Sequence, residues 1–139
     1  MVDVILKVKP IKANRYVFRS LHNSRSTWQI VSGSHAWFPP TDVYETDLDL
    51  VVRVEIAGMR DGELTVTLDD RLLLIQGRRP SPRRDCAYHQ LEIGYGKFQS
   101  GVKLHKAIVA EEAQATYQDG FLELVLPKRT PQHVEVKEE

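Results

Sequence analysis

The chain predicts an all-β fold: two antiparallel sheets packed as a sandwich of Greek-key type. Three observations predict it. From residue 41 onward, short segments alternate apolar and polar residues with a period of two. Gly, Pro, Asp-Asp or Asp-Gly separates these segments every ~8–12 residues, the rhythm of a sandwich. No segment of this region carries a helical apolar stripe of ~12 residues, so the connections are too short for helical crossovers and the pairing should be antiparallel.

The elements follow in order. Val2, Val4, Leu6 and Val8 alternate and predict a short strand. Residues 13–38 then mix Ser, Asn and Arg with Tyr16, Phe18, Trp28, Trp37 and Phe38. Neither period holds there, which predicts a partly disordered N-terminal arm, residues 1–38, carrying adhesive aromatics. Pro39-Pro40 marks the boundary of a domain spanning residues 39–128.

Within the domain, TDVYE opens the first strand at residue 41. Next, Val52, Val54 and Ile56 face one way and Arg53 and Glu55 the other, until Gly58 breaks the run. Leu64, Val66 and Leu68 alternate with Thr65 and Thr67, and Asp69-Asp70-Arg71 turns into the apolar run RLLLIQG, which Gly77 stops. After the polar stretch RRPSPRRD, AYHQLEI and VKLHKAIV predict two further strands with Gly-rich YGKFQSG between them. EEAQATYQ leads into Asp119-Gly120, a pair that supplies the two positive-φ residues of a type I′ hairpin turn. Leu122, Leu124 and Leu126 form the returning apolar face, and Pro127, which has no N–H to donate, ends the strand. Residues 129–139 form a short charged extension containing Val134-Glu135-Val136.

Composition narrows the function classes. The chain has 139 residues, enough for one self-supporting core, and 19 basic against 19 acidic residues, so no net field steers it toward nucleic acid or an anionic membrane. A lone cysteine, Cys86, allows neither an intrachain disulfide nor a thiolate cluster, and suits a reducing compartment. No run of ~18 apolar residues predicts a membrane span, and residues 1–12 lack the apolar core and cleavage site of a signal peptide. A cytoplasmic location is expected.

Catalytic chemistry finds no constellation. There is no His-Glu-x-x-His, no Gly-x-Ser-x-Gly and no Walker loop. Gly94-Tyr95-Gly96-Lys97 lacks the Gly-Lys-Ser/Thr of a phosphate loop and reads as a turn. His22, His35, His89, His105 and His133 show no second ligand at helical or hairpin spacing, so no metal is expected, nor any cofactor. Arg78-Arg79 and Arg83-Arg84 make a basic cluster without interleaved aromatics and read as a solvated loop, not a nucleic-acid site.

At the last hairpin the chain resembles a known family. Ala115, then Asp119-Gly120-Phe121-Leu122, Leu124 and Leu126-Pro127-Lys128 are similar to the end of the α-crystallin domain of small heat shock proteins, ATP-independent holdase chaperones. Trp37-x-Pro39 with Asp42-Val43-Tyr44-Glu45-Thr46, Glu55-Ile56-Ala57-Gly58, Leu72-x-Leu74-Ile75-x-Gly77-Arg78-Arg79, and Tyr88-His89-x-Leu91-Glu92 with Tyr95-Gly96-x-Phe98 follow the family pattern in order. The resemblance runs over residues 37–128 and implies an immunoglobulin-like sandwich.

It implies site residues too. Val134 and Val136 match the family's Ile-x-Ile tail motif, which docks on a neighbouring subunit between two strands, here lined by Leu64, Val66, Leu68 and Thr116. A bacterial-type dimer would exchange a strand from the loop, Ala87, Tyr88, His89, Leu91 and Glu92, onto Asp42, Val43 and Tyr44 of the partner. Tyr16, Phe18, Trp28, Trp37 and Phe38 would form the client-binding arm. The expected partners are a second copy, larger homo-oligomers and unfolded proteins, with no nucleic acid and no membrane.

Three departures stand out: Ser100 where the family has Arg, Glu92-Ile93 where it has Glu-Arg, and Leu104-His105 where it has Leu-Pro. Valine in place of isoleucine removes one methylene per pocket, about 0.8 kcal/mol each, and predicts weaker tail docking. The alternative is a non-chaperone sandwich module that binds one folded partner; solution as a monomer would distinguish it.

Overall fold

A computed structural model describes residues 2–12, 15–16, 18–20, 36–59, 63–80, 83–131 and 134–138. The strands are β1 (Asp3–Val8), β2 (Phe18–Ser20), β3 (Thr41–Glu45), β4 (Asp49–Glu55), β5 (Glu63–Asp69), β6 (Leu72–Arg79), β7 (Gly96–Lys103), β8 (Gln114–Gln118) and β9 (Phe121–Pro127), with a 3-10 turn at Ala110–Glu112. They form two sheets, one ordered β1-β5-β6-β7-β2 and the other β3-β4-β9-β8. The predicted sandwich is present.

Period-two alternation builds the core. Val52, Val54 and Ile56, Leu64, Val66 and Leu68, and Leu122, Leu124 and Leu126 are all buried, joined by Leu73, Ile75 and Phe98. Each removes its side chain from water for ~1.5–3 kcal/mol. Two turns set the register. At the β8–β9 hairpin Asp119 has φ 54° and Gly120 φ 82°, the two positive angles a type I′ turn needs. Between β5 and β6, Asp70 takes φ 52°. Gly120 has a second role, since a Cβ there would sit 3.0 Å from the Cβ of Ala57.

The structure corrects three strand expectations. Among the domain strands, pairing is antiparallel as expected, but the arm adds strands in parallel at both edges of one sheet: β1 on β5 and β2 on β7. Parallel addition is open to them because long connections separate the paired segments in sequence. Residues 87–93, expected to form a strand, form none. The Gly-rich stretch expected between two strands is itself the strand, β7, pairing with β6 from Arg79↔Gly96 to Leu72↔Lys103, and the strand expected over VKLHKAIV ends at Lys103. Its glycines sit within the strand: Gly101 pairs with Leu74 and with Phe18 of β2.

Candidate functional site

The groove expected between β5 and β8 falls where β1 runs along β5 and meets β8 of the other sheet. Leu64, Val66 and Leu68 supply one wall. The other wall comes from Ala115 and Tyr117, which pack against the core, with the Tyr117 hydroxyl donating to the carbonyl of Ile56 at 2.9 Å. Thr116, expected in this groove, is exposed and faces the opposite side of its sheet among Arg53, Phe121 and Glu123. The cause is the pleat: Ala115 and Tyr117 lie opposite Leu124 and Leu122, which point inward, so the residue between them points out. The inward set of β9 carried that signal in the sequence.

The groove is occupied. β1 pairs with β5 over Asp3↔Glu63 to Val8↔Leu68, and Val2, Val4 and Leu6 pack against the core beside Ala115 and Tyr117. Beyond β1, the Lys9 amide donates to the Leu68 carbonyl at 3.0 Å and the Ile11 amide to the Asp69 carboxylate at 2.8 Å, extending the attachment. The tail valines, by contrast, are 74% (Val134) and 83% (Val136) exposed. On the outer side of β1 and β5, Lys7, Lys9, Lys12, Arg15, Arg78 and Lys97 line a concavity together with Thr65 and Thr67, and none of the described residues lining it is a carboxylate.

A second surface lies at the edge of the other sheet. β3 is an edge strand, and among the described residues it pairs with β4 alone. Asp42 and Tyr44 are exposed on it and Val43 turns toward the core. Ala87, Tyr88, His89, Leu91 and Glu92 are all exposed in the loop from β6 to β7, and Ile93 beside them is 62% exposed. Within one chain this loop and β3 do not pair. Near the end of β3, Lys106 and Lys128 both donate to Oε1 of Glu45, Lys128 at 2.7 Å, and these hydrogen bonds, that of Lys106 foremost, hold the Glu45 carboxyl below its ordinary pKa.

The base of that loop is held by Arg79, which the sequence placed in a solvated basic cluster. Its Nε donates to the Gly94 carbonyl at 2.7 Å, its Nη1 to the Ala57 carbonyl at 3.2 Å, and its guanidinium lies 4.4 Å from the ring centre of Trp37. Gly94 is required where it stands because a Cβ would overlap the Trp37 indole. Trp37 itself bridges to Phe98, its ring centre 5.6 Å away, and exchanges backbone hydrogen bonds with Lys97 and Gln99. Trp37 is therefore placed in the domain, against its core, rather than on a loose arm. Phe38 is half-buried beside it, Tyr16 lines the basic concavity, Phe18 begins β2, and Trp28 lies outside the described residues. At the loop's centre Cys86 is exposed, its Sγ 3.6 Å from the Arg83 carbonyl. Partial desolvation, then the Cys86 thiol, pushes the Tyr88 phenol up. Among the described residues, no group of three or more His, Cys, Asp or Glu is placed to hold a metal, and no helix is long and apolar enough to cross a membrane.

Comparison with known proteins agrees with this geometry. The profile of the Hsp20/alpha crystallin family matches residues 42–138, starting within β3 and leaving β1 and β2 outside it. Small heat shock protein C2 of Rickettsia felis is 30% identical over 93 residues, 66% of this chain and 60% of that relative's length. The 17.6 kDa class I heat shock protein of Glycine max is 29% identical over 125 residues, covering 86% of this chain and 79% of the relative. A solved small heat-shock protein from Xylella fastidiosa superposes with a TM-score of 0.60 at 25% identity, over 73% of this chain and 98% of that one. Profile, relatives and the two-sheet architecture coincide over the same strands, and the chain belongs to the Hsp20/alpha crystallin family.

Proposed function

We propose that this chain is an ATP-independent holdase that captures partly unfolded proteins and keeps them from aggregating, and that it works as a homodimer within a larger homo-oligomer in the cytoplasm. One observation carries the reading. Apolar side chains that a monomeric domain would cover are exposed around docking-competent edges: Tyr44 on the outer edge of β3, Tyr88, Leu91 and Ile93 in the loop, and the two tail valines.

The mechanism is binding without turnover. Unfolding clients expose apolar surface and unpaired strand edges, and the arm and grooves of the chaperone compete for them. Dimerisation takes the loop residues 87–92 of one copy onto the outer edge of β3 of another, satisfying a row of backbone groups that water serves in the single chain. The tail valines then join dimers by β-edge docking, each contact weak and the set strong through multivalency. The Xylella fastidiosa relative is described as having a distinct high order structure, which supports carrying assembly over to this chain.

The test is light scattering of a heat-labile protein mixed with this chain and no nucleotide. Suppression of aggregation near equimolar ratio is the expected result. Unsuppressed aggregation, with the chain folded and monomeric in solution, would replace the holdase by a module that binds one folded partner.

A further inference from the structure

We propose that the outer face of the sheet formed by β1, β5, β6 and β7 binds a linear chain of phosphates, of the inorganic polyphosphate type, in the concavity that this face shares with the residues following β1. The proposal is independent of the holdase reading above.

The register builds the site. Lys7 lies opposite Thr67, Thr65 opposite Gln76, Gln76 opposite Gln99 and Arg78 opposite Lys97. Opposed residues share a face of the sheet, and so do residues two apart on one strand. Thr65, Thr67, Gln76 and Gln99 therefore make a neutral polar floor, with Lys7, Arg78 and Lys97 around it. The alternate residues Leu64, Val66, Leu73 and Ile75 are buried in the core, so the sandwich itself backs this floor. The residues after β1 line the same concavity and add Lys9, Lys12 and Arg15. Its volume is about 870 Å³, the size of a small-molecule site.

Its charge has no internal answer. Among the described residues, none of these six cations forms an ion pair. The carboxylates of the same face, Asp3, Glu63 and Asp69, stand at strand ends, and Asp69 accepts the Ile11 amide at 2.8 Å. Residues 1–41 hold six basic residues and one acidic residue, and the rest of the chain holds thirteen and eighteen. The neutral total thus hides a cationic N-terminal segment attached to a domain of net negative charge. Four cations of that segment gather where Arg78 and Lys97 already stand. Like charges collected on a concave surface focus a positive potential and favour a polyanion there.

Donor chemistry selects phosphate. Lysine and arginine donate hydrogen bonds and accept none, and the hydroxyls and amides of the floor can donate too. A phosphate chain presents acceptors throughout, and such charge-assisted hydrogen bonds are the strong ones. An acidic peptide adding as a strand needs a free sheet edge, whereas β5, β6 and β7 each have a neighbour on both sides. Single-stranded nucleic acid calls for aromatic platforms under its bases. Among the described lining residues, the aromatics are Tyr16 and the fully buried Phe98. Because the cations come from both the N-terminal segment and the sheet, one bound chain ties the two together.

Isothermal titration calorimetry of the full-length protein with inorganic tripolyphosphate tests the site. Saturable binding that weakens with added salt is expected. Arg78→Gln with Lys97→Gln, both exposed in the parent, should weaken it about tenfold or more. Arg129→Gln with Lys137→Gln makes the same change in charge away from the concavity and should leave binding unchanged. Absent binding, or equal loss in both double variants, overturns the proposal. Equal or tighter binding of an oligodeoxythymidylate or a polyglutamate peptide of the same charge also overturns it, assigning the surface to nucleic acid or to acidic protein segments. Hydrogen exchange on the unchanged protein places the ligand: saturating tripolyphosphate should slow exchange at residues 3–8, and unaltered exchange there puts the anion elsewhere and rules the proposal out.

Discussion

Ser100 Oγ lies 2.9 Å from Thr41 Oγ1, joining the middle of β7 to the first residue of β3. Thr41 donates its own proton to the Pro39 carbonyl at 3.0 Å, so Ser100 is the donor of the pair. Ser100 is fully buried. The position where family members carry an arginine has thus become a small, satisfied link between the two sheets.

Restoring the family residue should therefore harm this chain. Ser100→Arg would put a large charged guanidinium where a fully buried hydroxyl now sits, and should cost about 3 kcal/mol or more. Ser100→Ala removes one hydrogen bond and should cost about 1 kcal/mol. Urea unfolding measures both; an arginine variant as stable as the parent would show that the site opens to solvent.

Arg79 should not tolerate lysine. Its planar guanidinium reaches the Gly94 and Ala57 carbonyls while lying over Trp37, a combination an ammonium lacks. Arg79→Lys should lose about 1–2 kcal/mol and loosen the loop that follows. Limited trypsin digestion at Arg83 and Arg84 should quicken relative to the parent, and unchanged cleavage would mean that the loop is held elsewhere.

Glu45 should make stability depend on pH in one direction. Hydrogen bonds from Lys106 and then Lys128 lower its folded pKa below the unfolded value. The stabilisation is then present above the unfolded carboxylate pKa and is lost as pH falls through the folded one. Thermal midpoints of the parent and Glu45→Gln should differ near neutral pH and converge in acid, and the gap should shrink in high salt because the group is exposed. A gap that widens in acid contradicts the assignment.

The tail valines should set assembly size. Val134→Ala with Val136→Ala removes apolar area worth at most ~1.5–2 kcal/mol per docked valine, and should lower the mass measured by light scattering after gel filtration. Val134→Ile with Val136→Ile should raise it. Masses unmoved by either pair would take the tail out of the assembly.

Local patterns made much of this legible. The inward sets Val52, Val54 and Ile56, Leu64, Val66 and Leu68, and Leu122, Leu124 and Leu126 were readable because burial on a strand is a period-two property of neighbours in sequence. The Asp119-Gly120 turn was readable because its φ angles depend on those two residues alone. Thr116 was misplaced by one step in the same alternation, the smallest error that moves a side chain to the other face. Arg79 was lost inside a run of arginines, since nothing local distinguishes a guanidinium that will find two carbonyls and an indole from one that will meet water.

Taken by itself, the amino-acid sequence determined the strands of the sandwich other than β2 and β7, its hairpin turn, the alternating core and the resemblance to its family, because each depends on residues close together in the chain. Only the tertiary structure decided which segments meet. It laid β1 along β5, sixty residues apart in register at Leu6↔Val66, brought Ser100 to Thr41, and put β3 at the end of its sheet. Those meetings rest on long-range closure and on competition for a limited number of sheet edges, and no local pattern records which competitor wins.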